Sequence, residues 1–130
     1  MKRLHHGVME NNFTTLIDNY FAAWNETDPG RRQQIIANTW AEDATYLDPL
    51  MRGEGHSGID AMIAGVQQQF AGLEFRQTGT IDSHNNTARF SWHLGPKDAP
   101  PVAGGTDFAT VRDGKLASVT GFLDFAPAQK

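Results

Sequence analysis

Apolar side chains recur at helical spacing through the first half of the chain. A stripe beginning at Phe13 predicts a helix capped at Asn12 and ending near Asn25–Thr27; its members are Phe13, Leu16, Ile17, Tyr20, Phe21 and Trp24. Asp28 and Pro29 predict the N-cap and first position of a second helix. A third stripe, introduced by Ser57 and Asp60 in a spacing that resembles a capping box, predicts a helix with Ile59, Met62, Ile63, Val66 and Phe70 on its inner face.

The period changes to that of strands in the second half. A short strand from Ala44 to Asp48 already precedes the third helix and stops at Pro49. Alternation then predicts strands over 73–82 and 87–95, a loop over 96–101, and a long strand over 102–112 with a bulge at Gly104–Gly105. Asp113–Gly114 predicts a hairpin turn into a last strand over 115–125.

Helices followed by antiparallel strands predict an α+β domain in which a curved antiparallel or mixed sheet wraps around the N-terminal helices. Such a cone encloses a pocket where its side chains fill it only in part. We expect a flexible arm over residues 1–11, with the adjacent His5 and His6 solvated, and a single domain over residues 12–126.

Composition narrows the class of function. The net charge of −4 and the lack of a basic stripe argue against nucleic acid or an anionic membrane as a partner. There is no cysteine, so disulfides and thiolate metal sites are excluded, and no His and carboxylate cluster predicts a metal site. Without a secretory signal or a long apolar run, the expected location is the cytoplasm.

One segment carries a family resemblance. The run from Trp40 to Pro49, Trp-Ala-Glu-Asp-Ala-Thr-Tyr-Leu-Asp-Pro, is followed by a turn and by Ser57–Gly58 at a helix start. It resembles the segment of ketosteroid isomerases that holds the catalytic base, within the nuclear-transport-factor-2-like superfamily and its SnoaL-like polyketide cyclases. The later run Gly-Thr-Asp-Phe-Ala-Thr-Val from Gly105 resembles the strand before the final hairpin of that cystatin-like half barrel.

The resemblance implies a role for three residues. Asp48 matches the general base of the isomerases, Asp107 the carboxylic acid of their oxyanion hole, and Tyr20 the oxyanion-hole tyrosine on the first helix. The resemblance implies a division of labour in which one carboxylate abstracts a proton while a neutral, buried carboxyl donates a hydrogen bond to the enolate. Each residue also has a structural alternative. Asp48 could end its strand and cap nearby amides, and Tyr20 could be a core tyrosine. Asp107 could be a structural polar group, since the inner face of its strand is ambiguous.

Further side chains are candidates for the pocket wall: Trp24, Trp40, His56, Trp92 and Phe122. The tryptophans could equally be core residues, and His56 a surface turn residue. The favoured function is a cofactor-free isomerase or polyketide cyclase that enolises a small hydrophobic carbonyl compound. A non-catalytic ligand-binding or dimerisation module is the alternative. Dehydration or epoxide hydrolysis would need Arg76, Arg89 or His93 beside the acid, although all three lie on polar strand faces.

A homodimer is expected from the resemblance. Its interface would be the exposed sheet face and would be fairly polar, with Arg76, Thr78, Arg89, Ser91 and His93.

Overall fold

Residues 2–127 contain three helices and six strands, and the spacing predicts all of them except the short strand at Arg52–Glu54, which lies where a turn is expected. The computed structural model describes residues 2–127, and side chains from Phe13 onward. The helices are α1 (Lys2–Asn25), α2 (Pro29–Thr39) and α3 (Gly55–Gln69). The strands are β1 (Trp40–Leu47), β2 (Arg52–Glu54), β3 (Glu74–His84), β4 (Thr87–Gly95), β5 (Ala103–Arg112) and β6 (Lys115–Phe125).

The strands form one open, mixed sheet in the order β2-β1-β6-β5-β4-β3. β1 runs parallel to β6, and every other neighbouring pair is antiparallel. Register shifts interrupt the β1–β6, β3–β4 and β5–β6 pairings, including one at Gly104/Gly105 where a bulge is predicted. Because a bulge bends its strand, these shifts curve the sheet around the helices. The α+β fold with a curved, unclosed sheet is therefore confirmed.

The core lies between the helices and the concave side of the sheet. All six members of the first apolar stripe are buried, as are Ile59, Ile63 and Val66 of α3. The sheet contributes Phe90, Ala109, Leu116 and Val119, each almost fully buried. Ala88, Phe90 and Leu94 confirm the predicted inner face of β4. Among the described residues, no helix is long and apolar enough to cross a membrane.

Local signals decide the start of α2 and the last hairpin. Asp28 caps α2, because its Oδ2 accepts a hydrogen bond from the Arg31 amide at 2.9 Å, and Pro29 occupies the first turn. Asp113 and Gly114 both have positive φ, 55° and 79°, as the tight turn between β5 and β6 requires.

The bounds of α1 and β1 differ from those that the spacing predicts. α1 already begins at Lys2, so the Asn12 cap is wrong, and helical backbone covers most of the expected arm. The flexibility of residues 1–11 stays a prediction, since the side chains of His5 and His6 lie outside the described set. β1 spans Trp40–Leu47 and not Ala44–Asp48, because Trp40 already pairs with Leu116 of β6.

The capping box at Ser57 and Asp60 is also wrong. Glu54 is the N-cap of α3, and no side-chain hydrogen bond caps the helix. Asp60 instead accepts a hydrogen bond at 2.6 Å from Nε of Arg32, a buried residue of α2. The Asp60 carboxylate therefore joins α2 to α3, since it compensates the buried guanidinium.

Candidate active site

A cavity of about 240 Å³ opens between the helices and the concave side of the sheet. Most of its wall is apolar, and its polar groups are few, which is the usual character of a small-molecule site. The lining residues come from α1, from α3 and the residue after it, from every strand except β2, and from the segments after β1 and β6. They are Tyr20, Phe21, Trp24, Tyr46, Asp48, Leu50, Met51, Val66, Gln69, Phe70, Phe75, Trp92, Leu94, Ala103, Asp107, Leu123, Ala126 and Pro127.

Asp107 is the buried carboxyl of this cavity. It lies on the inner face of β5 with Ala109, which resolves the ambiguity of that strand, and it is only 1% exposed. Its Oδ2 accepts a hydrogen bond from the Tyr20 hydroxyl at 2.7 Å, and its Oδ1 accepts one from Nε1 of Trp92 at 3.0 Å. Burial raises the pKa of Asp107 to about 6, although the two hydrogen bonds oppose that rise. The group therefore changes its protonation close to neutral pH.

Asp48 is the second carboxyl, and it is half-buried where β1 ends. Its Oδ1 accepts hydrogen bonds from the amides of Leu50 at 2.8 Å and Met51 at 3.0 Å. Its Oδ2 accepts one from the Tyr46 hydroxyl at 2.6 Å. In all three bonds Asp48 is the acceptor, so both of its carboxyl oxygens are held by donors.

A single glycine separates the two carboxyls. Gly121 of β6 is the direct register partner of Asp107, and Tyr46 on β1 is the partner of Val119, two residues before Gly121. A Cβ added at Gly121 would lie 2.8 Å from Oδ1 of Asp107, 3.3 Å from Cβ of Asp48 and 3.4 Å from the Tyr46 hydroxyl oxygen. The three polar side chains thus meet because this position of β6 carries no side chain.

Two tyrosine hydroxyls complete the polar part of the site. Burial, followed by the charge of Asp107, raises the pKa of both Tyr20 and Tyr46 well above the usual value. The Tyr20 hydroxyl donates to Asp107 at 2.7 Å, and the Tyr46 hydroxyl donates to Asp48 at 2.6 Å. Both tyrosines are therefore neutral donors across the physiological range.

Of the residues expected in the site, five face the cavity: Asp48, Asp107, Tyr20, Trp24 and Trp92. The other three are corrections. Trp40 is only 1% exposed and packs in the core against Tyr20, because it begins β1 beneath the helices. His56 lies in the first turn of α3, where its Nε2 is 2.8 Å from the Trp40 carbonyl oxygen, and it borders a separate groove between α2 and α3.

Phe122 is the third correction. Strand alternation turns it to the outer face of the sheet, where it is 55% exposed and its ring contacts that of Phe108.

Sequence reasoning missed Tyr46 and the loop residues Leu50 and Met51. Tyr46 precedes Asp48 by two residues, and in a strand that spacing puts both side chains on one face. Period-two spacing back from Asp48 would therefore have found it. No sequence signal distinguishes Leu50 and Met51, whose place at the cavity follows from the turn that Asp48 holds together.

Basic side chains lie elsewhere. Arg76 and Arg89 are exposed, Arg89 in an ion pair with Asp82, and the His93 ring contacts Phe125. The cavity lining given above contains no Arg, Lys or His. Among the side chains described, no three His, Asp or Glu gather where they could hold a metal ion.

Comparison with known proteins decides the family. The model of the SnoaL-like domain matches residues 17–119, which is most of the chain. The chain belongs to the SnoaL-like family. A SnoaL-like protein from Agrobacterium tumefaciens strain C58, provisionally named an isomerase, has a similar crystal structure with a TM-score of 0.83. The two sequences are 46% identical, and the match covers 88% of this chain and 98% of that one. No curated protein matches.

More distant structures share the fold of this SnoaL-like chain. A protein from Kribbella flavida, provisionally named a ketosteroid isomerase, has a TM-score of 0.67 and 24% identity over 92% of this chain and 83% of its own. A protein from Sinorhizobium meliloti, provisionally named a polyketide cyclase, has a TM-score of 0.66 and 20% identity over 82% and 93%. At these identities the two structures show a shared fold.

Proposed function

We propose that this SnoaL-like protein enolises a small hydrophobic carbonyl compound without a cofactor, as an isomerase or a cyclase. Asp48 is the base that takes the proton from the carbon next to the carbonyl. Asp107, supported by Tyr20 and Trp92, stabilises the oxygen on which negative charge develops. The observation that carries the proposal is that the two carboxyls meet across Gly121 in one apolar cavity.

The different environments of the two carboxyls support this division of labour. Asp48 is half-buried and accepts three hydrogen bonds, so donors hold its carboxyl in place for the role of a base. Asp107 is almost fully buried, and its pKa of about 6 lets it gain a proton near neutral pH. A ligand that displaces water from the cavity raises the pKa of Asp107 further, because it removes the solvent that stabilises the charge.

The size of the cavity supports a small substrate. Its volume of about 240 Å³ is below the roughly 300–1,000 Å³ of pockets for drug-sized ligands. A compound of one or two rings with a single carbonyl fits the few polar groups and the aromatic wall. The carbonyl oxygen would lie toward Asp107, and the acidic carbon toward Asp48.

The test is exchange of hydrogen for deuterium next to the carbonyl in a panel of small cyclic ketones, followed by proton NMR in D₂O. Enolisation by Asp48 predicts faster exchange with the protein, and Asp48→Asn should slow it by about 10²- to 10⁴-fold, the usual contribution of a general base. Asp82→Asn is the control, since Asp82 is exposed on β3 and pairs with Arg89. Exchange that is unchanged in Asp48→Asn would overturn the proposal.

A ligand-binding module is the second candidate, and one observation favours it. Asp48 lines the cavity, and it also stabilises the turn after β1 because it accepts hydrogen bonds from Tyr46, Leu50 and Met51. A pure binding role predicts that ketones shift the Trp92 indole NMR signal, while no ketone in the panel exchanges faster than in buffer.

A further inference from the structure

Tyr46 lines the cavity, and the proposed mechanism gives its hydroxyl no role. Tyr46 lies near the end of β1, two residues before Asp48, so strand spacing puts both side chains on one face. Its hydroxyl donates a hydrogen bond to Oδ2 of Asp48 at 2.6 Å. The carboxyl proposed as the base is therefore held by a side chain of its own strand as well as by the turn that follows.

The two oxygens of the Asp48 carboxyl differ in how many hydrogen bonds they accept. Oδ1 accepts two, from the amides of Leu50 at 2.8 Å and Met51 at 3.0 Å. Because a carboxylate oxygen has about two lone-pair sites, these amides occupy both sites of Oδ1. Oδ2 accepts one bond from the described residues, that of Tyr46, and keeps one lone pair. A proton taken from a substrate therefore goes to Oδ2.

The bond from Tyr46 fixes what the two amides leave free. Two hydrogen bonds to Oδ1 hold that atom in place, but the carboxyl group can still turn about it, and such a turn moves Oδ2. The bond from Tyr46 holds Oδ2 itself and so fixes the plane of the group. A reacting group must be held to within roughly 0.5 Å of its productive position by the hydrogen bonds around it.

We propose that Tyr46 is the positioning residue of the base, and that its hydroxyl aims the remaining lone pair of Asp48 Oδ2 at the substrate. This inference rests on the proposed function. In the step that it serves, the carbon–hydrogen bond next to the carbonyl breaks and its proton bonds to Oδ2. The electron pair of that bond moves to the carbonyl oxygen and forms the enolate. In an isomerase the same oxygen returns the proton to another carbon, so its direction matters in both steps.

The surroundings of Tyr46 suit a positioning role better than direct contact with a ligand. A hydroxyl has one proton to donate, and that of Tyr46 goes to Asp48. The side chain is only 4% exposed, and its ring packs against Trp24 with centroids 5.7 Å apart. A Cβ added at Gly121 would lie 3.4 Å from the hydroxyl oxygen and 3.3 Å from Cβ of Asp48. The hydroxyl is therefore enclosed by its own ring contacts, by Asp48 and by the backbone of β6.

The experiment measures ketone exchange in D₂O over a range of concentrations of the ketone that the wild type exchanges fastest. Tyr46→Phe removes the hydroxyl and keeps the ring contact with Trp24. Its rate at saturating ketone should fall by about 10- to 100-fold, since a misplacement of about 1 Å can cost 10²-fold, while KM stays nearly the same. Thr39→Val is the matched control and should change neither, because the Thr39 hydroxyl is fully buried, has no hydrogen-bond partner among the described residues and is absent from the cavity lining.

Two non-natural side chains in place of Tyr46 separate the loss of a donor from the loss of an atom. Para-aminophenylalanine puts an N–H donor near the position of the hydroxyl and should restore most of the lost rate. Para-methylphenylalanine fills the same space without a donor and should be as slow as Tyr46→Phe. This pair also decides the question if Tyr46→Phe does not fold. Amide hydrogen exchange at Leu50 and Met51 should match the wild type in every variant, since their bonds go to Oδ1.

The outcomes distinguish a failure of this inference from a failure of the proposed function. Ketone exchange that is slowed in Asp48→Asn but not in Tyr46→Phe would reject the positioning role and retain the base. A change in KM alone would make Tyr46 a ligand contact, and faster amide exchange at Leu50 and Met51 would make it a support of the turn; either result rejects the inference. If the wild type exchanges no ketone, the enolisation is rejected and the positioning role with it.

Discussion

Asp107 and Asp48 are the same residue type in one cavity, yet their surroundings divide them. Asp107 is only 1% exposed and meets two side-chain donors, while Asp48 meets two backbone amides and a tyrosine at the end of a strand. Burial raises the pKa of Asp107, while the two backbone amides fix the position of Asp48. The different roles proposed for the two carboxyls follow from this difference in burial and hydrogen bonding.

The raised pKa of Asp107 predicts a pH dependence of stability. Between about pH 4 and pH 6 the native protein binds this proton and the unfolded chain does not, so stability falls as pH rises through that window. The loss contributed by Asp107 is roughly 3 kcal/mol, from a shift of about two pKa units. Urea unfolding at several pH values should show a steeper fall for the wild type than for Asp107→Asn. Equal slopes for the two proteins would contradict the raised pKa.

Gly121→Ala tests the contact between the carboxyls. The added methyl would lie 2.8 Å from Oδ1 of Asp107, so the carboxylate must move and its bonds to Tyr20 and Trp92 must weaken. We expect the free energy of unfolding to fall by about 1–3 kcal/mol, the usual cost of overpacking, and ketone exchange to fall at least tenfold.

Gly65→Ala is the matched control for that variant. Gly65 lies in α3 and has no heavy atom within 4 Å of an added Cβ. A gain of about 0.5–1 kcal/mol is expected there, since alanine is the better helix former. A loss of stability and exchange of the same size in both glycine variants would show that Gly121 has no special role.

At the scale of the elements, the two residues predicted to cap helices, Asp28 and Ser57, behave differently. Asp28 caps α2 with its own carboxylate, whereas Ser57 lies inside α3 and does not cap it. Asp28→Ala should therefore lower the free energy of unfolding by about 1 kcal/mol, while Ser57→Ala should change it by less than about 0.5 kcal/mol. Thermal unfolding of the two variants measures the difference. A larger loss of stability in Ser57→Ala than in Asp28→Ala would show that Ser57 caps α3 after all.

Local patterns predicted the elements well and the polar partners poorly. The helical stripes, the Asp113–Gly114 turn and the bulge at Gly104–Gly105 all depend on near neighbours, so spacing was sufficient. The partner of Asp60 is Arg32, 28 residues away, and no local spacing contains that information. For the same reason the sequence pointed to Asp48, Asp107 and Tyr20 through a family pattern, while Gly121 became visible only where β6 aligns with β1 and β5.

At the scale of the whole molecule, the outer face of the sheet is the surface where a second copy would bind. Phe108 and Phe122 are exposed there as a pair with ring centroids 5.7 Å apart. We expect a homodimer through this face, which continues into the polar positions predicted for it on β3 and β4. Sedimentation should give twice the chain mass of 14.3 kDa, and Phe122→Glu should reduce it to one chain because a buried charge opposes association. A single-chain mass for the wild type at all concentrations would exclude this interface.

The position of β6 has a consequence for how the protein is made. β6 is synthesised after the other five strands, yet it lies at the centre of the sheet, between β1 and β5. Until β6 leaves the ribosome, the strand that precedes Asp48 and the strand that carries Asp107 have no common neighbour. A nascent chain that has completed β5 but not β6 therefore holds both carboxyls without a site, and the proposed chemistry can begin only after the last strand has been made.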